Sequence, residues 1–225
     1  VDFFDIEGET DIFAKVDAFG EAIKTGEGTE RLRLCRRPLI SACGGRVMIK
    51  DPFTGKPKEM IMMASNSYFG LTTHPNVIKA AKAAIEKYGY GTGSVSLLAG
   101  TTDMHLELEK LIASYYECDD AIVFPTGYSA NVGTISALVK EHDTVVNDIF
   151  NHASIYDGCR MSGGEVKIFV HGSMHSLEKT LKAIPKERGR LIVTDGVFSM
   201  DGDIAKLDKI YELAKAYNAR VMIDE

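Results

Sequence analysis

Asp195 and Asp224 each close a short apolar run, in "LIVTDGVFSMDGD" and "VMIDE". A carboxylate at the end of a buried strand is costly to ionise unless a cation or a hydrogen-bond donor faces it. A protonated pyridine nitrogen would supply such a cation; the alternative is that Asp224 caps a following turn. His152, in "NHASIYDGCR" after the apolar run "TVVN", stands where a helix begins. Its flat imidazole could stack on an aromatic ring or move a proton near neutral pH, or it could simply cap the helix. Gly127, in "PTGYSAN", opens a helical pattern through Val132, Ile135, Leu138 and Val139. A glycine turn at a helix start presents free N–H groups and the positive end of the helix dipole, a ready anion site, although many strand-to-helix turns have the same form.

The elements that must hold these residues repeat in a regular order from Ser65 onward. Short apolar runs "AIVF", "TVVN", "VKIFV", "LIVT" and "VMI" read as strands, separated by helical stretches. In "HPNVIKAAKAAIEKYG" the apolar residues fall at helical spacing, with Pro75 in the first turn and Gly89 at the stop. "MHLELEKLIASYY" behaves likewise behind a capping Asp103. Strands alternating with amphipathic helices predict an α/β fold, a mostly parallel sheet covered on both faces. In such a sheet ligands gather beyond the carboxyl ends of the strands, where the residues named above stand. Upstream, "DPFTGKPK" predicts a hairpin turn between two strands, and residues 1–64 read as an N-terminal arm with this hairpin, basic at Arg31, Arg33, Arg36 and Arg37.

Bulk composition narrows the function classes. A hydrophobic content of 45% over 225 residues is enough for a full core. The net charge of -6, with no Lys/Arg stripe, argues against nucleic acid as a partner. Cys35, Cys43, Cys118 and Cys159 form no C-x-x-C pair, so neither a metal nor a redox motif is expected, and reduced thiols fit a cytoplasmic location. No apolar run is long enough for a membrane helix.

Taken together and in order, "SNSYFGLTTHP", "GTGS…AGTTDMHLELE", "PTGYSAN", "NHASIYDGCR", "TDGVFSMDGD" and "VMIDE" resemble the α-oxoamine synthases. These are pyridoxal-phosphate (PLP) enzymes of fold type I. The resemblance covers roughly residues 65–225, which it implies are the N-terminal portion of a large PLP-binding domain. It implies that Gly127 and Tyr128 give backbone N–H groups to the cofactor phosphate and that His152 stacks on the pyridine ring. Ser199 would bond near the phenolic oxygen, and Asp224 would pair with the ring nitrogen. Asp195 matches an acidic position near the cofactor. Asn66 matches a substrate-side asparagine, and Arg37 is assigned to substrate contact. Ser96 stands where the ligase-like members carry arginine.

The implied reaction condenses an amino acid with an acyl-CoA or other acyl thioester, with loss of carbon dioxide, in a homodimer. The family's Schiff-base lysine is expected beyond Glu225, because Lys206, Lys209 and Lys215 lie at surface spacing on the helix before the last strand; on that reading the chain is part of a longer polypeptide. Two other readings compete. One is a non-catalytic subunit of a heteromeric enzyme, against which the retained His152, Ser199 and Asp224 argue. The other is a nucleotide-binding oxidoreductase, against which "GYGTGS" argues by its incomplete G-x-G-x-x-G spacing and its place between helices.

Overall fold

The predicted hairpin forms where the Pro/Gly stretch places it. β1 (Arg46–Lys50) pairs antiparallel with β2 (Pro57–Ile61), in a register that sets Lys50 opposite Pro57. Asp51 organises the turn: its Oδ1 accepts from the N–H groups of Phe53 and Thr54 and from the Thr54 hydroxyl, at 2.8–3.0 Å, and Gly55 supplies a φ of 69°. The computed structural model describes residues 10–25 and 37–225, which divide into two units between Gly100 and Thr101. Cys35, Arg31, Arg33 and Arg36 lie outside the described residues.

The first unit also holds α1 (Ala14–Thr25) and α2 (Pro75–Tyr88). α2 begins and ends as the sequence predicts: the His74 side chain caps the N–H of Asn76, Pro75 fills the first position, and Gly89 ends the helix at φ 79°. The glycine-rich stretch after it leads to a helical turn at Ser96–Gly100 and follows no strand.

The second unit is a parallel α/β layer structure. In chain order come α3 (Asp103–Tyr115), α4 (Gly127–Leu138), β3 (Asp143–Asp148), α5 (Ala153–Ser162), β4 (Glu165–Phe169), α6 (Met174–Lys182), β5 (Gly189–Asp195), α7 (Leu207–Ala216) and β6 (Arg220–Asp224). The sheet runs β4-β3-β5-β6, every neighbour parallel. Side chains alternate between two cores. Val145, Leu191 and Val193 pack against Ile135 of α4, Val139 just after it, and Ile155 and Cys159 of α5. Val146, Ile192 and Phe169 turn the other way, onto Leu177 and Leu181 of α6 and Ile210 and Ala214 of α7. Full burial of each Val, Leu, Ile or Phe side chain among them stabilises the fold by about 1.5–3 kcal/mol. Gly158 lets α4 and α5 approach closely: a Cβ there would stand 3.1 Å from the Asn131 carbonyl oxygen and 3.1 Å from Ile135 Cδ1.

Two expectations need correction. "AIVF" at residues 121–124 forms no strand, and Ile122 is exposed. An apolar run predicts extension, whereas a strand also needs a neighbour to complete its hydrogen bonds, and none pairs with it among the described residues. The residue capping α3 is Thr102, one position before Asp103, with His105 Nδ1 accepting the Thr102 N–H at 3.2 Å.

Candidate functional site

The topology decides where a ligand can enter the second unit. α5, which follows β3, covers one face of the sheet, and α7, which follows β5, covers the other. The connections therefore diverge between these adjacent strands, and the crevice beyond their carboxyl ends is where such sheets bind ligands.

Asp195 and Asp224 are register partners at the ends of β5 and β6. Asp195 is only 7% exposed. Burial pushes its carboxyl above the usual range; the His152 N–H, donating to Oδ1 at 3.3 Å, opposes this, while the charge of Asp224 adds to it. Asp224 is half-buried, and its Oδ2 accepts from Asn131 Nδ2 at 2.8 Å. Asn131 Nδ2 also donates to Ser154 Oγ at 2.9 Å. Ser154 Oγ in turn lies 2.6 Å from His152 Nδ1. One hydrogen-bonded chain thus links Asp224, Asn131, Ser154 and His152.

His152 is the N-cap of α5, its Nδ1 accepting the Ser154 N–H at 3.2 Å. The rest of its ring is exposed, so capping leaves an imidazole face open. Both readings of His152 allowed by the sequence are compatible with this geometry. Asn151 braces the same loop: its Oδ1 accepts the Asp195 N–H at 2.9 Å, and its Nδ2 reaches Asn147 Oδ1 and the Val193 carbonyl at 2.6 and 2.8 Å.

Gly127 and Tyr128 are the first two residues of α4, one turn before Asn131. Thr126 caps the helix by accepting the Ser129 N–H at 3.0 Å, which leaves the N–H groups of Gly127 and Tyr128 without intrahelical acceptors. A Cβ at Gly127 would meet nothing within 4 Å. The Tyr128 hydroxyl donates to Asp157 at 2.7 Å, and that bond raises the phenol above its ordinary value. Ser199 lies exposed in the loop between β5 and α7, with no hydrogen bond to this cluster.

Asn66 and Arg37 belong to the first unit. Asn66 is exposed just after the hairpin, and Arg37 Nη1 donates to Met60 Sδ at 3.4 Å. Asn131, Asn151 and Ser154 were missed from sequence, though each sits inside a motif already singled out. The available signal was an asparagine at the buried helical position four residues before Ile135.

The sequence model for aminotransferase class I and II matches residues 58–225. The chain belongs to this family. It is 44% identical over 225 residues to 4-hydroxy-2,2'-bipyrrole-5-methanol synthase PigH of Serratia sp. (strain ATCC 39006), a match covering all of this chain and 34% of that protein. It is 49% identical over 168 residues to 8-amino-7-oxononanoate synthase of Bacillus pumilus (strain SAFR-032), covering 75% of this chain and 43% of that one. A serine palmitoyltransferase variant from S. paucimobilis, solved with bound PLP-myriocin aldimine, superposes with a TM-score of 0.86 at 36% identity, over 96% of this chain and 53% of that chain. The chain thus has the fold-type-I architecture expected from its sequence, and it spans about half or less of the length of these relatives. No described helix is long and apolar enough to cross a membrane.

Proposed function

We propose that the protein is a PLP-dependent acyltransferase that condenses an amino acid with an acyl thioester, carried by CoA or a carrier protein, and releases carbon dioxide. Residues 65–225 are the N-terminal portion of its large cofactor-binding domain, and it works as a homodimer in the cytoplasm. The observation that carries the reading is Asp224: its carboxylate ends a parallel strand beside the switch point, fixed through Oδ2 by Asn131, while Oδ1 accepts no hydrogen bond among the described residues. A half-buried carboxylate oxygen of this kind fits a cationic ring N–H. The donors at Gly127 and Tyr128, without acceptors among the described residues, fit a phosphate.

PLP, when bound, withdraws electrons from the α-carbon of the amino acid. Asp224 holds the proton on the ring nitrogen, the condition for that withdrawal. Gly127 and Tyr128 bind the phosphate through their N–H groups, and α4 adds its dipole. His152 orients the ring by stacking, and Ser154, joined to its Nδ1, fixes which ring nitrogen faces the substrate. Ser199 donates to the phenolic oxygen. Asn66 and Arg37 contact the substrate.

The test is to load the purified full-length protein with PLP and confirm a visible absorbance band. Glycine, alanine, serine and threonine are then added singly, and solvent exchange of the α-proton is followed. A panel of acyl thioesters follows, with free thiol and carbon dioxide as readouts. Absence of the band, or of any amino-acid-dependent exchange, overturns the proposal.

A further inference from the structure

His171 stands between two carboxylates from different parts of the sheet's rim. Its Nδ1 is 3.0 Å from Asp148 Oδ1 at the end of β3, and its Nε2 is 2.8 Å from Asp203 Oδ2 in the loop between β5 and α7. The ring is held on its flanks as well: it stacks on Phe150 with centroids 4.6 Å apart and meets the buried Phe198 edge-on at 4.3 Å. An ionised carboxylate only accepts hydrogen bonds. A ring facing two of them must donate from both nitrogens, and only the imidazolium has two N–H groups.

The loop it reaches is a small hairpin. Val197 bridges Ile204, the Phe198 N–H donates to the Asp203 carbonyl at 3.0 Å, and the Gly202 N–H returns to the Phe198 carbonyl at 2.7 Å. Ser199 lies near its tip, next to the Phe198 that touches His171.

We propose that His171 is a positioning residue: as a cation bonded to Asp148 and Asp203, it clasps the β5–α7 loop to the end of β3 and fixes the backbone that carries Ser199. The importance of Ser199 rests on the function proposed above, whereas the clasp does not. The charged groups facing the ring are Asp148 from β3, Asp203 from the loop and Lys206 at the start of α7, whose ammonium is bound to the Gly172 carbonyl at 3.0 Å. α6 contributes Met174 and β5 contributes Thr194 to the surrounding cavity of about 230 Å³, neither of them charged. The charge of Asp148 in turn contributes to raising the carboxyl of Asp195.

Burial disfavours the imidazolium, but the bonds to Asp203 and Asp148 outweigh it, so His171 titrates above the ordinary 6.5. A group raised on folding holds its contact fully below the ordinary value and loses it as pH climbs through the raised one. Deprotonation leaves one carboxylate facing a lone pair. Asp203, its side chain 49% exposed against 3% for Asp148, is the partner that can let go.

The experiment is hydrogen–deuterium exchange of the full-length protein, with and without PLP, read as protection of the peptide spanning residues 197–204. Between about pH 6 and about pH 9, protection should fall about tenfold, the worth of one charge-assisted hydrogen bond. Asp203→Asn should abolish this pH dependence, because its amide can donate to the neutral ring's lone pair while the other ring nitrogen donates to Asp148. His171→Phe keeps the stacking and loses both donors, so its loop should be as unprotected at low pH as the wild-type loop is at high pH. If the wild-type profile is flat, or Asp203→Asn keeps the wild-type profile, the clasp is overturned; so too if a folded His171→Phe keeps wild-type protection. Where His171→Phe fails to fold by circular dichroism, Asp203→Asn decides alone. Failure to bind PLP with an intact pH profile would overturn the proposed function and leave the clasp standing.

Discussion

Asn131 holds Asp224 across 93 residues of sequence, its Nδ2 donating at 2.8 Å to a carboxylate on the far strand of the layer. Nothing else among the described residues hydrogen-bonds the Asp224 side chain, so this amide alone sets how the carboxylate lies. Removing it with Asn131→Ala leaves Ser154 and Asp224 without their donor inside the fold. A loss of about 1–3 kcal/mol in urea unfolding is expected from such a deletion. PLP affinity should weaken as well, and spectroscopic titration checks it.

Asp224→Ala should damage turnover more than Asp224→Glu or Ser199→Ala, because only the first removes the negative charge opposite the ring nitrogen. The measurement is solvent exchange of the substrate's α-proton on PLP-loaded protein. Exchange at the wild-type rate in the alanine variant would remove Asp224 from its role.

His152→Phe should keep PLP bound and lower turnover by at least about a hundredfold, the low end for a lost proton-handling group. The same change deletes the cap on the Ser154 N–H, with about 1 kcal/mol lost in thermal or urea unfolding. Retained turnover together with the stability loss would mean that His152 is only a cap.

Gly127→Val separates ligand from scaffold, since its Cβ has open space in the protein. Unfolding stability of the cofactor-free protein should change by well under about 1 kcal/mol, within the range of surface substitutions. Phosphate-dependent PLP affinity should nevertheless drop. Equal affinity for the two proteins would exclude an anion at this helix start.

Asp195 carries a prediction about pH. Burial raises its carboxyl above the ordinary 3.8, so its contribution to stability is greatest below that value and is lost as pH rises through the folded one. Asp195→Asn should therefore stabilise the cofactor-free protein at neutral pH, and the gain should shrink as the solution is acidified. Urea midpoints measured at several pH values give the trend; a gain that grows on acidification would contradict it.

Much of this was legible in the sequence because the relevant signals are local. Periodicity marked β3 to β6 and the helices between them, and the residue type at each strand end marked Asp195, Asp224 and His152. What could not be read was pairing. The run at residues 121–124 has strand composition, but the presence of a neighbour is a property of the whole sheet. Asn131 and Asn151 escaped notice because Asp224, Val193 and Asp195, to which they bond, lie 42 to 93 residues away, and the buried amide of Asn131 looks like an interruption of its helix until its acceptor is known. His171 escaped for the same reason: Asp148 and Asp203 are 23 and 32 residues away.

The strand order β4-β3-β5-β6 also has a consequence in time. β3 cannot meet β5 until the chain through Gly189 has been made, because Asp143 pairs with Gly189, and β6, which carries Asp224, is made after both. Pairings of such sequence separation are slow to close. During synthesis Asn131 therefore emerges long before its acceptor, and in any state with α4 and α5 packed but β6 undocked its buried amide has only Ser154 to bond. The Asn131–Asp224 hydrogen bond can form only once β6 has docked beside β5, so its appearance in a nascent chain would report that docking.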